Sequence, residues 1–423
     1  MSRNRGSTAT LRDDSPESCV KRRTCEWPDS RNPKSGSQLA AVIASALQCE
    51  SNFLPWLRSA LSNSAISAYQ LDRLIARRGP HDLRILVSSD KQNRSPSCFH
   101  IEEATGDSSC FPLGAWQLAY RDPQHEQLLA LDAALGDVGK NEIEKIFGNG
   151  VTESVLLSYA PARRAVIHYS LSDGTRAFGK LYRPGASSHA YELARQLSET
   201  SLADSFVTPI AHLEHLELII WKEVKGDLLS DLFGTEAYDP GLNATGKVLR
   251  QLHQQTFDQP ATVVTLEDEL GVTGKHISRL EGLFSEEDLD DLRHLQRGLE
   301  KPCASLTPPT ERWIHGDFHD RQLIIRDGSP VILDLDGVNA GDPAIDIGNF
   351  LAHIDFRLAF ELSDQSPRRH HDVFRQGYRV AEDDRRVQIA HAISLLRNAV
   401  LYLLIPERHR RLSEACRKIV DQF

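Results

Sequence analysis

The 423-residue chain lacks the long apolar runs and the paired cysteines that are typical of membrane proteins and of small secreted proteins. No stretch approaches the roughly 20 apolar residues that a membrane-spanning helix needs, and the N-terminus has no apolar signal-peptide segment. The seven cysteines are scattered and show no CxxC or other metal-binding spacing. We therefore expect a cytoplasmic protein whose cysteines are free thiols.

A strongly basic surface is also missing, because the formal net charge is -10. Binding to the phosphate backbone of nucleic acid depends on clustered lysine and arginine. Nucleic acid and membranes are therefore not expected as partners, and nothing in the composition sets the oligomeric state. With 40% hydrophobic and 26% charged residues, the composition is that of an ordinary globular protein.

The first 120 residues fall into two parts. Residues 1–37 are rich in Ser and Arg without apolar periodicity, which predicts a disordered tail. Residues 38–120 read as an N-terminal α/β segment of unknown role. The elements expected in it are two helices followed by two paired strands, over residues 38–47, 64–77, 82–90 and 98–104.

The remaining chain predicts a β-rich part, residues 121–225, before a mainly helical part, residues 226–423. In the first part, Asp173-Gly174 is a hairpin turn between two alternating apolar runs. The strands expected there are Ala165–Leu171, Arg176–Tyr182 and Leu216–Val224, and the helices are Glu126–Phe147 and Ser188–Leu197. Helices of the second part are expected near Gly241–Gln255, Glu286–Glu300, Ala390–Leu404 and the C-terminus.

The most informative stretch is Trp313–Asp346, which contains a predicted β-hairpin at Leu323–Leu333. Gln322 and Asp334 lie about symmetrically around its turn, so they should face each other at the open end. Asp317 lies on the loop that leads into the first strand. Three oxygen-bearing side chains are therefore predicted to converge, and such ligands suit Mg²⁺.

The segments "HGDFHDRQ" and "ILDLDGVNAGDPAIDIGNF" together resemble those of the aminoglycoside phosphotransferases and related small-molecule kinases. The resemblance covers about residues 151–404. It implies an α+β, bilobal protein-kinase-like fold with a small β-rich lobe and a larger α-helical lobe, here with an extra N-terminal segment. It also implies ATP and Mg²⁺ as cofactors, and transfer of the γ-phosphoryl group to a hydroxyl of a small-molecule acceptor.

The resemblance assigns roles around the hairpin. Asp317 is expected to be the catalytic carboxylate that orients the acceptor hydroxyl and accepts its proton. Asp334 is expected to bind Mg²⁺, with Asp336 as an alternative or additional ligand on the same face of a strand. Gln322 stands where the family usually has Asn, and it offers the same amide oxygen. Structural support of the loop is expected from His315, Asp342 and Asp346.

The resemblance also indicates nucleotide-binding residues in the small lobe. Lys180 matches the lysine that contacts the α- and β-phosphates, with Glu192 as its expected partner and Glu199 as the fallback. Trp221 to Val224 would form the hinge that holds adenine. The turn at 159–164 would cover the phosphates, with Arg163 and Arg164 as phosphate contacts.

One alternative function comes from the departures from the family pattern. Gln322 in place of Asn, and the absence of an evident glutamate partner for Lys180, are compatible with a nucleotide-binding pseudokinase. Such a protein would act as a regulatory or binding module without turnover.

Overall fold

A computed structural model describes most of the chain after residue 68. The described residues are 69–76, 83–89, 97–103, 111–113, 116–121, 128–160, 163–255, 263–278, 286–309, 311–361, 366–402 and 406–423. The predicted tail 1–37 and the predicted helix 38–47 lie outside these residues.

The N-terminal segment contains a five-stranded antiparallel sheet with strand order β1-β2-β3-β5-β4. Its strands are β1 Tyr69–Ala76, β2 Leu83–Ser89, β3 Ser97–Glu103, β4 Phe111–Leu113 and β5 Trp116–Arg121. The predicted pairing of residues 82–90 with 98–104 is confirmed by the β2–β3 ladder. The predicted helix at 64–77 is wrong, because Tyr69–Ala76 forms a strand. A short apolar run fits both the helical and the strand period, and pairing with neighbouring strands decides which element forms.

The small lobe consists of a second five-stranded antiparallel sheet, ordered β6-β7-β8-β10-β9, with helices beside it. The strands are β6 Val151–Ala160, β7 Arg164–Leu171, β8 Arg176–Tyr182, β9 Pro209–Leu213 and β10 Leu218–Lys222. The helices are α1 Leu131–Leu135, α2 Asp137–Phe147 and α3 Ser187–Ser198. The single helix predicted for Glu126–Phe147 is thus divided, because Gly136 adopts an extended conformation between α1 and α2.

One face of the small-lobe sheet is buried against α1 and α2. Every second residue of β7 is inaccessible to solvent, which is the two-residue period of a half-buried strand. The Tyr169 hydroxyl on this face donates a 2.8 Å hydrogen bond to the Ala134 carbonyl. The Asp173-Gly174 turn forms as predicted, with Gly174 at a φ of 81° that disfavours other residues.

The large lobe is mainly helical and carries a small three-stranded sheet and a two-stranded one. Its helices are α4 Tyr238–Gln254, α5 Leu266–Ser278, α6 Glu286–Ala304, α7 Ala344–Phe360, α8 Arg368–Tyr378, α9 Arg385–Leu401 and α10 Pro406–Val420. Its strands are β11 Asp227–Leu228, β12 Arg312–Ile314, β13 Leu323–Arg326, β14 Ser329–Ile332 and β15 Asn339–Gly341. These observations confirm the α+β class. No helix in the described part of the chain is long and apolar enough to cross a membrane.

The core of the large lobe is centred on α9, which packs against α5, α6, α7 and α10. Buried side chains surround this helix on all sides, as expected for a helix without a polar face. Helix α7 approaches α9 at Gly348, where an added Cβ would lie 2.4 Å from the Ala390 carbonyl carbon. The two backbones can therefore meet only because residue 348 has no side chain.

Replacing Gly348 with Ala should force α7 and α9 apart and lower the free energy of unfolding by about 1–3 kcal/mol. Urea denaturation followed by far-UV circular dichroism would measure the change. Gly271→Ala is the matched control, because this glycine is also helical but an added Cβ meets nothing within 4 Å. Its stability should stay unchanged or rise by about 0.5–1 kcal/mol. Equal destabilisation by both variants would contradict the packing argument.

Candidate active site

The β13–β14 hairpin brings its two flanking polar residues together, as predicted. Leu323 pairs with Ile332 at the last register position, and the Leu333 amide donates a 2.8 Å hydrogen bond to the Gln322 carbonyl. The Gln322 side-chain amide then lies 3.3 Å from Asp334 Oδ2. The mouth of the hairpin therefore presents one carboxylate and one carboxamide side by side.

The chain leaves the hairpin in a turn rather than as a continued strand. Asp334 has a left-handed backbone with φ 54°, and residues Leu335–Gly337 form one turn of 3-10 helix. Aspartate tolerates this conformation better than most residues. The expectation that Asp334 and Asp336 share one face of a strand is wrong, because no strand continues here. The turn nonetheless directs both carboxylates toward the small lobe.

Cations from β7 and β8 meet these two carboxylates across the cleft. Lys180 Nζ lies 2.6 Å from Asp334 Oδ1 and 2.7 Å from Asp336 Oδ1. Arg164 lies 3.0 Å from Asp334 Oδ2 and 2.7 Å from Asp336 Oδ2. The Tyr182 hydroxyl donates a 2.7 Å hydrogen bond to Asp336 Oδ1. We call Arg164, Lys180, Asp334 and Asp336 the charge cluster.

Burial and ion pairing shift the pKa values of Asp334 and Arg164 in opposite directions. Burial alone would raise the pKa of Asp334, but the adjacent charges of Lys180 and Arg164 lower it to about 2. For Arg164, burial acts to lower the pKa, and the two carboxylates outweigh it and raise the pKa. Asp334 and Arg164 are consequently held in their ionised forms at neutral pH.

The expected pair between Lys180 and Glu192 does not form. The Glu192 carboxylate is on the exposed side of α3, where it binds Arg195 and Gln196, and the fallback Glu199 also binds Arg195. Glu192 lies off the apolar stripe of α3, so the helix turns it toward solvent. Lys180 pairs with the two aspartates instead.

A cavity of about 320 Å³ lies between the lobes beside the charge cluster. Its apolar walls come from both lobes, and the predicted hinge residues Trp221 and Val224 line it. The other apolar residues lining it are Val166, Phe178, Val207, Ile324, Leu333 and Leu335. The indole nitrogen of Trp221 is buried and has no hydrogen-bond partner among the described residues. Of the predicted phosphate-covering arginines, Arg164 faces the cavity and Arg163 is exposed.

The loop that carries Asp317 is fixed by a buried carboxylate. Asp346, in the first turn of α7, accepts hydrogen bonds from the backbone amides of His315 at 2.6 Å and Gly316 at 2.8 Å. His253 lies 3.0 Å from the same carboxylate. The His315 imidazole is buried and donates from Nε2 to the Leu333 carbonyl at 2.8 Å, which ties the loop to the hairpin. Both His315 and Asp346 thus hold the loop in place.

Asp317 itself projects from this rigid loop, and 56% of its side chain is exposed. The preceding Gly316 has φ 79°, and an added Cβ there would lie 2.5 Å from the Gly337 carbonyl oxygen. The Asp317 loop therefore packs backbone to backbone against the turn that carries Asp336. This contact keeps the exposed carboxylate next to the charge cluster.

Asp342 supports α7 rather than the loop. Its carboxylate accepts a 3.0 Å hydrogen bond from the Ala344 amide at the start of the helix, and it pairs with Arg386 of α9. Asp342 thus contacts the start of the helix that carries Asp346, whereas the sequence predicted that it would support the Asp317 loop directly.

A second group of hydrogen bonds supports the Asp317 loop from behind, and the sequence did not lead us to predict it. Asn349 donates a 3.1 Å hydrogen bond to the Phe318 carbonyl and accepts one from Arg397. Arg397 also lies 3.1 Å from Glu269, whose pKa is raised by burial. Asn349 lies three residues after Asp346, which places both on one helix face. That spacing is the signal that could have identified it.

Comparison with known proteins supports the kinase-like reading of this geometry. A thermostable mutant of aminoglycoside phosphotransferase APH(4)-Ia, in a ternary complex with AMP-PNP and hygromycin B, has a TM-score of 0.52 and 15% identity. The likeness covers 68% of this chain and 98% of that one. The apo form of such a mutant has a TM-score of 0.51 and 14% identity, over 67% and 98% of the two chains. At such identities the likeness shows the fold alone. No curated protein sequence matches.

Membership of a family, which structural likeness at such low identity cannot show, is shown by a family model. The model of the phosphotransferase enzyme family, APH, matches residues 168–383, just over half of the chain. The matched range includes Lys180, the Asp317 loop and the hairpin with Asp334. The prediction of a small-molecule kinase family with a bilobal kinase-like fold is confirmed, and the chain belongs to the phosphotransferase enzyme family.

Proposed function

We propose that this phosphotransferase transfers the γ-phosphoryl group of ATP to a hydroxyl group of a small molecule. The observation that carries the proposal is the charge cluster at the end of an apolar cleft between the lobes. An apolar slot suits a purine ring, and two cations at its end suit phosphates. The APH(4)-Ia structure with AMP-PNP and hygromycin B supports this choice of nucleotide and of acceptor class.

The nucleotide would lie with its base against Trp221, Phe178 and Leu333. Lys180 and Arg164 would then meet its phosphates, since both come from adjacent strands, line the cavity and pair with Asp334. Lys180 provides a compact point charge, and the guanidinium of Arg164 can bind two oxygens at once. When the nucleotide binds, Lys180 and Arg164 would release Asp334 and Asp336 and bind phosphate oxygens instead.

The donor atoms at the hairpin mouth fit Mg²⁺. Asp334 and Asp336 provide carboxylate oxygens, and Gln322, whose amide nitrogen faces Asp334, would offer its amide oxygen after its carboxamide turns over. Mg²⁺ is usually held by one or two carboxylates together with substrate phosphates. The low pKa of Asp334 keeps this ligand ionised. When bound, Mg²⁺ would neutralise the charge that develops between the β- and γ-phosphates.

Asp317 would act on the acceptor. Its carboxylate is exposed, while its backbone is fixed through His315, Gly316 and Asp346. A fixed carboxylate can accept a hydrogen bond from the acceptor hydroxyl, align it with the γ-phosphorus and take its proton during transfer. The acceptor is a hydroxyl-bearing small molecule, and a panel of such compounds would identify it.

Asp317→Ala should lower the turnover number about 100- to 10,000-fold, the range for loss of a positioned general base. The assay measures ATP consumption with Mg²⁺ against a panel of hydroxyl-bearing acceptors. Nucleotide affinity should stay as in the wild type, because Asp317 lies outside the cavity that would hold ATP. Asp372→Ala is the control, since this aspartate is also half-exposed but lies on α8. Nucleotide binding without turnover on any acceptor would instead favour the regulatory binding module.

Lys180→Ala should raise the KM for ATP at least about tenfold, because a charge-assisted hydrogen bond to phosphate contributes roughly 1.5–3 kcal/mol. The order of preference among acceptors should not change. Steady-state kinetics with each substrate varied in turn would measure both effects. Lys145→Ala, an exposed lysine of α2 in the same lobe, is the control and should leave both constants unchanged. A change in acceptor preference would place Lys180 on the acceptor side and contradict the assignment.

A further inference from the structure

Away from the charge cluster, two groups of His and Asp side chains in the described residues have the spacing of metal ligands. The first consists of His319, Asp320 and His353. Its carboxylate is already neutralised, because Arg357 binds Asp320 at 2.7 and 3.1 Å. The second consists of Asp355, His371 and His391, and here the groups that bind the carboxylate are the two imidazoles.

We propose that Asp355, His371 and His391 form a binding site for a divalent transition metal of the zinc type. Each ligand comes from a different helix: Asp355 from α7, His371 from α8 and His391 from α9. We call this group the three-helix site. It lies in the large lobe outside the proposed catalytic machinery, and the inference does not depend on the proposed function.

The three potential ligand atoms already face one another. His391 Nε2 lies 2.6 Å from Asp355 Oδ2, and His371 Nε2 lies 3.5 Å from the same oxygen. All three atoms fall within 4.8 Å of one another. Tetrahedral zinc with bonds of about 2.0–2.1 Å needs ligand atoms roughly 3.3 Å apart. Small side-chain rotations would therefore reach the required geometry.

The chemical character of the ligands suits zinc rather than magnesium. Imidazole nitrogen is a good ligand for zinc and related transition metals, whereas Mg²⁺ prefers an all-oxygen set. Two imidazoles and one carboxylate are the three-ligand set of several zinc enzymes.

A fourth ligand can reach the metal from an adjoining cavity. This cavity has a volume of about 580 Å³ and is lined by the three ligands and by residues 410–419 of α10. It is large enough for water, which commonly completes a three-ligand zinc site. Zinc would also join three helices of the core, so its binding should stabilise the folded large lobe.

The charges around the three-helix site are mainly positive. Arg375 lies on the same helix as His371, and the cavity wall carries Arg410, Arg411 and Lys418 against one acid, Glu414. In the metal-free reading His391 donates to Asp355, whereas His371 Nε2 donates a 3.2 Å hydrogen bond to the Leu351 carbonyl, which it would give up to bind a metal. The two readings differ in one measurable respect, since only a metal site takes up one zinc ion per chain.

The test uses the full-length protein after treatment with a chelator, equilibrated with zinc chloride in excess Mg²⁺ so that oxygen-rich sites are already occupied. Zinc content after dialysis should be one ion per chain. In Asp355→Asn and His391→Gln the dissociation constant for zinc should rise at least tenfold. His409→Gln is the matched control, because this histidine of α10 bonds to a backbone carbonyl and has no carboxylate partner among the described residues. It should bind zinc as the wild type does, and so should Asp334→Asn.

A second measurement on the wild-type chain covers the case in which a buried variant fails to fold. Co²⁺ should produce the visible absorption bands of four-coordinate cobalt with nitrogen ligands, and zinc should abolish them by competition. Zinc should also raise the thermal midpoint of the wild type. No stoichiometric zinc in the wild type, no such cobalt spectrum, or zinc binding that is lost in Asp334→Asn would each overturn the proposal.

Discussion

Two aspartates of the large lobe and two cations of the small lobe hold one another in the cleft, and the relation between the lobes depends on that contact. Buried charges are costly unless they are paired, so Asp334 requires the β7–β8 ladder to lie over the hairpin. Asp334 also has a left-handed backbone, which costs about 1–2 kcal/mol in an ordinary residue. A ligand with several negative charges can take over the two cations, and a divalent cation can take over the two carboxylates.

The same principle of buried charge recurs beneath the site. Asp346 is completely buried, and its oxygens are satisfied by two backbone amides of the Asp317 loop and by His253. Because these donors belong to the loop itself, the carboxylate determines the loop's conformation rather than only its stability. The Asp317 carboxylate is therefore exposed while its backbone is held in place. A backbone fixed in this way is what the proposed positioning of an acceptor hydroxyl requires.

Local sequence was sufficient for features that depend on short-range geometry. The hairpins followed from turn residues between alternating apolar runs, and the meeting of Gln322 with Asp334 followed from hairpin symmetry. Features that depend on packing were missed. The strand Tyr69–Ala76 was predicted as helix, and Glu192 was expected beside Lys180. Both errors concern which distant element a segment contacts, and no local period encodes that.

Helices α7 and α9 carry two polar contacts between them at different heights. Asn349 and Arg397 meet behind the Asp317 loop, while Asp355 and His391 meet six residues later on α7 and six residues earlier on α9. Six residues correspond to about 9 Å of helix, and the close backbone contact of Gly348 with Ala390 and His391 adjoins a residue of each pair. The separation of helices α7 and α9 thus affects both polar contacts. A substitution that changes this separation would therefore disturb both contacts, the one behind the Asp317 loop and the one at the three-helix site.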